Sequence, residues 1–244
     1  MPIIDTHVHL GAWPTPVTGL DVAECERLMK QFGIARSCVA STEAAMGDLA
    51  AGNQALAEAI EGHPTLLGYC AINPNLLDLS AEELARHLRR PNFVGAKLQA
   101  AYGCRPLDSP PARELVKRSL RYDKPILVEP RTREEFDALN RLAADFPTAK
   151  FVIAAMAAAC WEEAVGLAVA RTNVIFQCGG AHAARDAVKY AMDEIGPHRV
   201  IWGSDAPLAH PVYALGMVRD AELDAGMKDR LLQANAGRVF GIRL

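Results

Sequence analysis

The stretch RVIWGS, residues 199–204, is the last in a series of short apolar runs, and counting it decides the architecture. The series comprises PIIDT (2–6), RSCVAS (36–41), LLGYCAI (66–72), FVGAKLQ (93–99), KPILVEP (124–130), KFVIAAM (150–156), NVIFQC (173–178) and RVIWGS itself. Their starts are 34, 30, 27, 31, 26, 23 and 26 residues apart, room each time for one helix and two loops. Most runs are nearly continuous in apolar residues, as expected of parallel strands covered on both faces. Strict alternation of such runs with helical segments signals a parallel α/β sheet. An open doubly wound sheet commonly has about five or six strands. Eight runs predict instead a closed (β/α)8 (TIM) barrel.

The intervening segments carry helix-start signals. Ser80 with Glu83 and Thr132 with Glu135 have capping-box spacing, and Pro110 and Pro111 follow Ser109 where a first helical turn is expected. The length of 244 residues suits one such barrel, and no Pro/Gly/Ser-rich linker divides it, so residues 1–244 read as one domain. Half the residues are hydrophobic and 23% are charged, the balance of a globular protein. The net charge of −3 argues against a general nucleic-acid binder, whose affinity comes from neutralising phosphates.

The apolar stretch FVIAAMAAAC (151–160) is too short to span a bilayer, and Asp5, His7 and His9 interrupt any leader-like segment at the start. The expectation is a cytoplasmic protein with no membrane contact. Six cysteines (25, 38, 70, 104, 160 and 178) contain no CxxC pair and read as reduced thiols. The segment EEAVGLAVA (162–170) either packs on the barrel or leaves a face for a homo-oligomer.

Barrel active sites lie at the C-terminal ends of the strands and in the loops that follow. His7 and His9 stand at the end of the first run, Lys97 and Gln99 at the fourth, Glu129 and Arg131 at the fifth, Cys178 at the seventh and Asp205 at the eighth. Two histidines one residue apart on a strand face the same side. They either form a solvated pair at a surface or, with a carboxylate from elsewhere, hold zinc or another divalent ion. Such an ion lowers the pKa of bound water toward neutrality, and a carboxylate such as Asp205 can take up and return the proton.

Four strings together resemble the amidohydrolase superfamily, in particular its amidohydrolase-2 branch of small metal-dependent hydrolases and decarboxylases: DTHVHLG (5–11), GAKLQ (95–99), IWGSDAP (201–207) and NAGRVFGI (235–242). The resemblance runs from about residue 3 to residue 242, and DTHVH with GSDAP is its specific pair. It implies that His7 and His9 are metal ligands and that Asp205 is both ligand and proton shuttle. Departures begin at the fifth strand. PILVEP places Glu129 where the family pattern has histidine, FVIAAMAA places Ala155 at the second such position, and Lys97-Leu98-Gln99-Ala100 replaces the family's KLHP. Glu129 can replace an imidazole, giving a His7, His9, Glu129, Asp205 shell whose two carboxylates neutralise a divalent cation. Alternatively Glu129 pairs with Arg131 or Lys97 and binds no ion.

Further candidates would contact substrate. His182 follows the seventh strand, Trp13 offers an apolar wall, and Lys97, Arg105 and Arg131 form a basic group suited to a carboxylate-bearing ligand, with Gln99 beside them. Each also has an ordinary structural reading, as helix start, loop packing or ion pair. Cys178 lacks a recognisable base and reads as a buried thiol, and His210 reads as solvent-exposed at the mouth. No GxGxxG, P-loop, GxSxG or HExxH pattern occurs. The leading expectation is a hydrolase of a small amide, ester or lactone that uses one divalent ion, zinc or manganese. A metal-independent lactonase and a catalytically silent barrel that binds a ligand or partner are the alternatives.

Overall fold

The structure, a computed structural model, describes residues 2–13, 16–98, 105–155, 160–180 and 186–244. Eight strands follow one another around a single sheet: β1 (Ile3–Leu10), β2 (Ile34–Ser41), β3 (Leu66–Ile72), β4 (Phe93–Leu98), β5 (Ile126–Val128), β6 (Phe151–Ile153), β7 (Val174–Gly179) and β8 (Val200–Gly203). Each pairs in parallel with the next. β8 returns to β1 through a parallel bridge between Val8 and Ala206, with His9 N–H donating to Ala206 O at 2.7 Å and Asp205 N–H to His7 O at 2.9 Å. The result is the (β/α)8 barrel expected from eight runs.

Helices α1 (Val22–Phe32), α2 (Thr42–Met46), α3 (Leu49–Ala59), α4 (Leu77–His87), α5 (Pro110–Ser119), α6 (Arg133–Asp145), α7 (Trp161–Ala170), α8 (Ala187–Ile195) and α9 (Pro211–Asp220) lie between and after the strands. α10 (Ala225–Asp229) and α11 (Asn235–Phe240) complete the chain. No helix among the described residues is long and apolar enough to cross a membrane.

Alternation along the strands builds two apolar layers. Ile126 and Val128, Phe151 and Ile153, and Val200 and Trp202 belong to the large cluster shared with the helices. Their neighbours Leu127, Val152 and Ile201 belong to a second cluster with Ile4, Cys38, Tyr69, Val94 and Ile175. That second cluster fills the barrel and is joined by Ala236, Val239 and Phe240 of α11.

Local signals explain several boundaries and correct others. The Thr132–Glu135 capping box opens α6 with both reciprocal bonds formed. Ser80 does not cap a helix: α4 already begins at Leu77, and the buried Ser80 Oγ instead bonds the backbone of Asn73 at 2.9 and 3.0 Å. α5 opens at Pro110 as expected, though Ser109 makes no side-chain cap bond. β1 extends well past PIIDT to Leu10, because its hydrogen bonds to β2 and to Ala206 continue through the histidines. β5 and β6, by contrast, are only three residues long. The described cysteines, 25, 38, 70, 160 and 178, are unpaired thiols, while Cys104 lies outside the described residues.

Thr132→Ala removes the acceptor for Glu135 N–H while leaving the helix face unchanged. It should cost about 1 kcal/mol of unfolding free energy in urea titration.

Candidate functional site

β1 determines where the histidines point, and it does so through an irregularity. Its register with β2 shifts between Asp5 and Val8. Ile4 belongs to the barrel interior, whereas Val8 and Leu10 belong to the outer layer. The shift changes the parity of the strand, so His7 and His9, which alternate with Val8 and Leu10, face inward.

β5 brings its end to the same place by plain alternation, whereas β4 does so through a register shift of its own against β3, which leaves the inward Val94 and Lys97 three residues apart. Glu129 lies two residues beyond the inward Leu127 of β5, and Lys97 lies on β4. Asp205 follows β8 on a left-handed backbone, φ 64°, and Ala155 follows β6 at φ 52°. Both are non-glycine residues in a sparsely populated region, a feature that clusters at functional sites.

The resulting contacts are close. His9 Nε2 is 3.1 Å from Asp205 Oδ1, and His7 Nδ1 is 3.4 Å from the same oxygen. Lys97 Nζ donates to His7 Nε2 at 2.9 Å and stands 2.7 Å from Glu129 Oε1. That oxygen is also 3.2 Å from His7 Nε2, and it lies at ion-pair distance from Lys97 without hydrogen-bond alignment. Arg131 reaches Glu129 Oε2 at 3.3 Å from the rim, its side chain half exposed. His7, His9, Lys97 and Asp205 are buried, and the Glu129 side chain is 13% exposed.

The network sets the electrostatics of its members. Lys97 Nζ and Glu129 Oε1 both approach His7 Nε2, while Nδ1 faces Asp205 Oδ1 at 3.4 Å. Burial, and after it Lys97 and His7, push His9 down to about 4, so it is neutral near pH 7. Burial works against ionisation of Glu129, but Lys97 and then His7 and His9 hold its carboxyl well below the usual carboxylate range. Asp205 is likewise opposed by burial and held low by the His9 hydrogen bond and by His7 and His9.

One atom each from His7, His9 and Glu129 lies within 4.8 Å of the others, a set that can ligate a single ion. Among the described residues, His9 Nδ1 and Glu129 Oε1 are buried without hydrogen-bond partners. Two imidazoles and a carboxylate are donors that zinc and manganese both accept, so the residues fit a divalent ion.

The remaining candidates sit at different distances from this cluster. Trp13 packs edge-on against His9, ring centroids 5.0 Å apart, and its buried Nε1–H has no hydrogen-bond partner among the described residues. Arg105 is exposed and donates from Nε to Asn75 Oδ1 at 2.5 Å, outside the cluster's contacts. Gln99 and His182 lie outside the described residues. Cys178 is buried, and burial pushes its thiol up to about 12, which makes it a poor nucleophile. His210 is exposed and caps α9.

Beneath the cluster runs a polar chain absent from the sequence reading. Gln177 Nε2–H donates to Thr6 Oγ1 at 2.8 Å, and Gln177 Oε1 accepts from Ala155 N–H at 2.7 Å. Thr6 Oγ1–H donates to Trp202 O at 2.6 Å, and Tyr69 OH donates to Thr6 O at 2.8 Å. Asp5 Oδ1 accepts from Ser204 N–H and His7 N–H at 2.9 and 3.2 Å. Gly203 makes room for this: a Cβ there would lie 2.2 Å from Gln177 Nε2. The available signal was a polar Thr6 and Gln177 within otherwise apolar buried strands.

The family model described as amidohydrolase matches residues 4–242. The chain belongs to the amidohydrolase family. No curated protein matches it significantly in sequence. Among solved structures, this amidohydrolase-family chain is similar to 5-carboxyvanillate decarboxylase from Novosphingobium aromaticivorans, complexed with manganese and 4-hydroxy-3-methoxy-5-nitrobenzoic acid. The TM-score is 0.80 at 17% identity, covering 98% of this chain and 96% of that one. It is also similar to 2,6-dihydroxybenzoate decarboxylase from Rhizobium, with TM-score 0.78, 16% identity and 98% of each chain covered. A third is a probable 2-pyrone-4,6-dicarboxylic acid hydrolase from Acinetobacter baumannii with citric acid bound, with TM-score 0.73, 17% identity and 99% and 100% covered. At these identities the likeness shows the fold.

Gln177→Leu deprives Ala155 N–H of its acceptor and Thr6 of a donor inside the barrel. It should lower unfolding free energy by about 2 kcal/mol in urea titration.

Proposed function

We propose that this chain is an enzyme that hydrolyses a small carboxylate-bearing amide, ester or lactone, with one divalent ion held by His7, His9 and Glu129. The observation that carries the reading is the convergence of those three donors within 4.8 Å beside a carboxylate, Asp205, that is held ionised. A divalent ion in that set supplies Lewis acidity to a substrate carbonyl and to a water.

The chain's own residues then have distinct tasks. Asp205 accepts a proton from the attacking water and returns it to the leaving oxygen or nitrogen, while Asp205 Oδ1 keeps its orientation through His9 Nε2–H. Trp13 walls the site beside His9 and offers Nε1–H to a substrate oxygen. Arg131 at the rim, over Glu129, supplies positive charge for a substrate carboxylate. Carboxylate-bearing compounds named for the structural neighbours support that substrate class, and manganese in one of them supports the choice of ion.

One observation favours a second reading, a metal-independent lactonase. Lys97 Nζ already provides a cation in contact with His7 and Glu129, and an ammonium there can stabilise a developing oxyanion.

Elemental analysis after reconstitution with zinc or manganese should find about one ion per chain, and none after His7→Ala/His9→Ala. Absence of any ion would remove the first reading, and lactonase activity that survives chelation would establish the second. In either case Asp205→Asn should lower kcat at least about 100-fold on a carboxylate-bearing lactone or amide found by screening. An unchanged kcat would sink the proton-transfer role.

A further inference from the structure

We propose that Lys97 is a tethered cation that competes with the divalent ion for its own ligands and thereby sets the site's affinity for metal. The inference rests on the metal reading above and adds a control built into the chain. Its basis is where the ammonium stands. Lys97 Nζ lies 2.9 Å from His7 Nε2 and 2.7 Å from Glu129 Oε1, two of the atoms available for ligation. The ammonium thus stands against the ring nitrogen of His7 that an ion would take. The other ring nitrogen, His7 Nδ1, faces Asp205 Oδ1 at 3.4 Å instead.

Charge points the same way. Two carboxylates, Glu129 and Asp205, already face two cations, the buried Lys97 and the half-exposed Arg131 at the rim. A divalent ion added to that set leaves an excess of two positive charges in a region nearly closed to water, where charge is poorly screened. Half of the Arg131 side chain is exposed and screened by water, but the Lys97 side chain is only 2% exposed. The ion therefore enters only as Nζ withdraws from His7 and Glu129. The apparent affinity is reduced by the fraction of the time that the ammonium holds its place. Lys97 is thus a positioning residue for metal loading, acting through His7 and Glu129.

The test is equilibrium dialysis of the full chain against manganese and against zinc, with bound ion measured by elemental analysis. It compares the wild type with Lys97→Met, which keeps the length of the stem and deletes the charge, and Lys97→Arg, which keeps the charge. Lys97→Met should bind manganese at least about tenfold more tightly than the wild type, with Lys97→Arg close to the wild type. Without metal, Lys97→Met leaves Glu129 short of its buried partner, so its Tm should fall and then be restored by manganese more than the wild type's Tm is raised. If Lys97→Met does not fold, Lys97→Gln goes through the same dialysis with the same expectation. Equal affinities across folded variants would overturn the competition and leave the metal reading standing. No binding by any variant or by the wild type would overturn both.

Discussion

The closure of β1 against the end of β8 is the constraint on which the rest depends. β8 is only four residues long, and the two backbone bonds that close the barrel fall beyond it, at Asp205 and Ala206. Asp205 N–H donates to His7 O and His9 N–H donates to Ala206 O, so the groups that join the sheet are the backbones of the site residues themselves. Cohesion of the fold and alignment of the site are therefore one set of bonds. Asp5 reinforces the same seam by accepting Ser204 N–H and His7 N–H, and Thr6 does so by donating to Trp202 O.

That arrangement puts titratable groups where an apolar core would be cheaper. Asp5, His7, His9, Lys97 and Asp205 are all buried, and a buried charge without a partner is strongly destabilising. The chain answers with mutual neutralisation at the barrel mouth and with hydrogen-bonded polar groups beneath it. Each partner then fixes another: Lys97 orders His7 and Glu129, and His9 orders Asp205. Pairing of this kind holds side chains in one geometry, which is what a site for small ligands requires.

The fold was legible because burial of parallel strands on both faces leaves a composition that survives in the sequence, and eight such runs leave little choice of architecture. Strand ends followed from the same runs, which is why Glu129 and Asp205 could be placed beside the histidines. Ser80 misled because Ser and Glu three apart mark a helix start only when the backbone before them is extended, and α4 had already begun at Leu77. Arg105 could not be positioned, since a long side chain in a loop is directed by its partner, here Asn75, rather than by any period. The Gln177–Thr6 chain depends on contacts across the barrel between residues 171 positions apart, and a local pattern carries no trace of such a pairing.

The register shift in β1 has a consequence for how this sequence can change over time. Because parity within residues 5–8 turns His7 and His9 inward, their direction is a matter of counting as much as of chemistry. Exchanging Val8 for another β-branched residue preserves the count. Losing or gaining one residue between Asp5 and Val8 would reverse it, sending both imidazoles into the helix layer and two aliphatic side chains into the mouth. The N-terminal strand is thus open to drift in composition and closed to drift in length. Descendants that keep this centre should vary their loops by insertion, but not this segment.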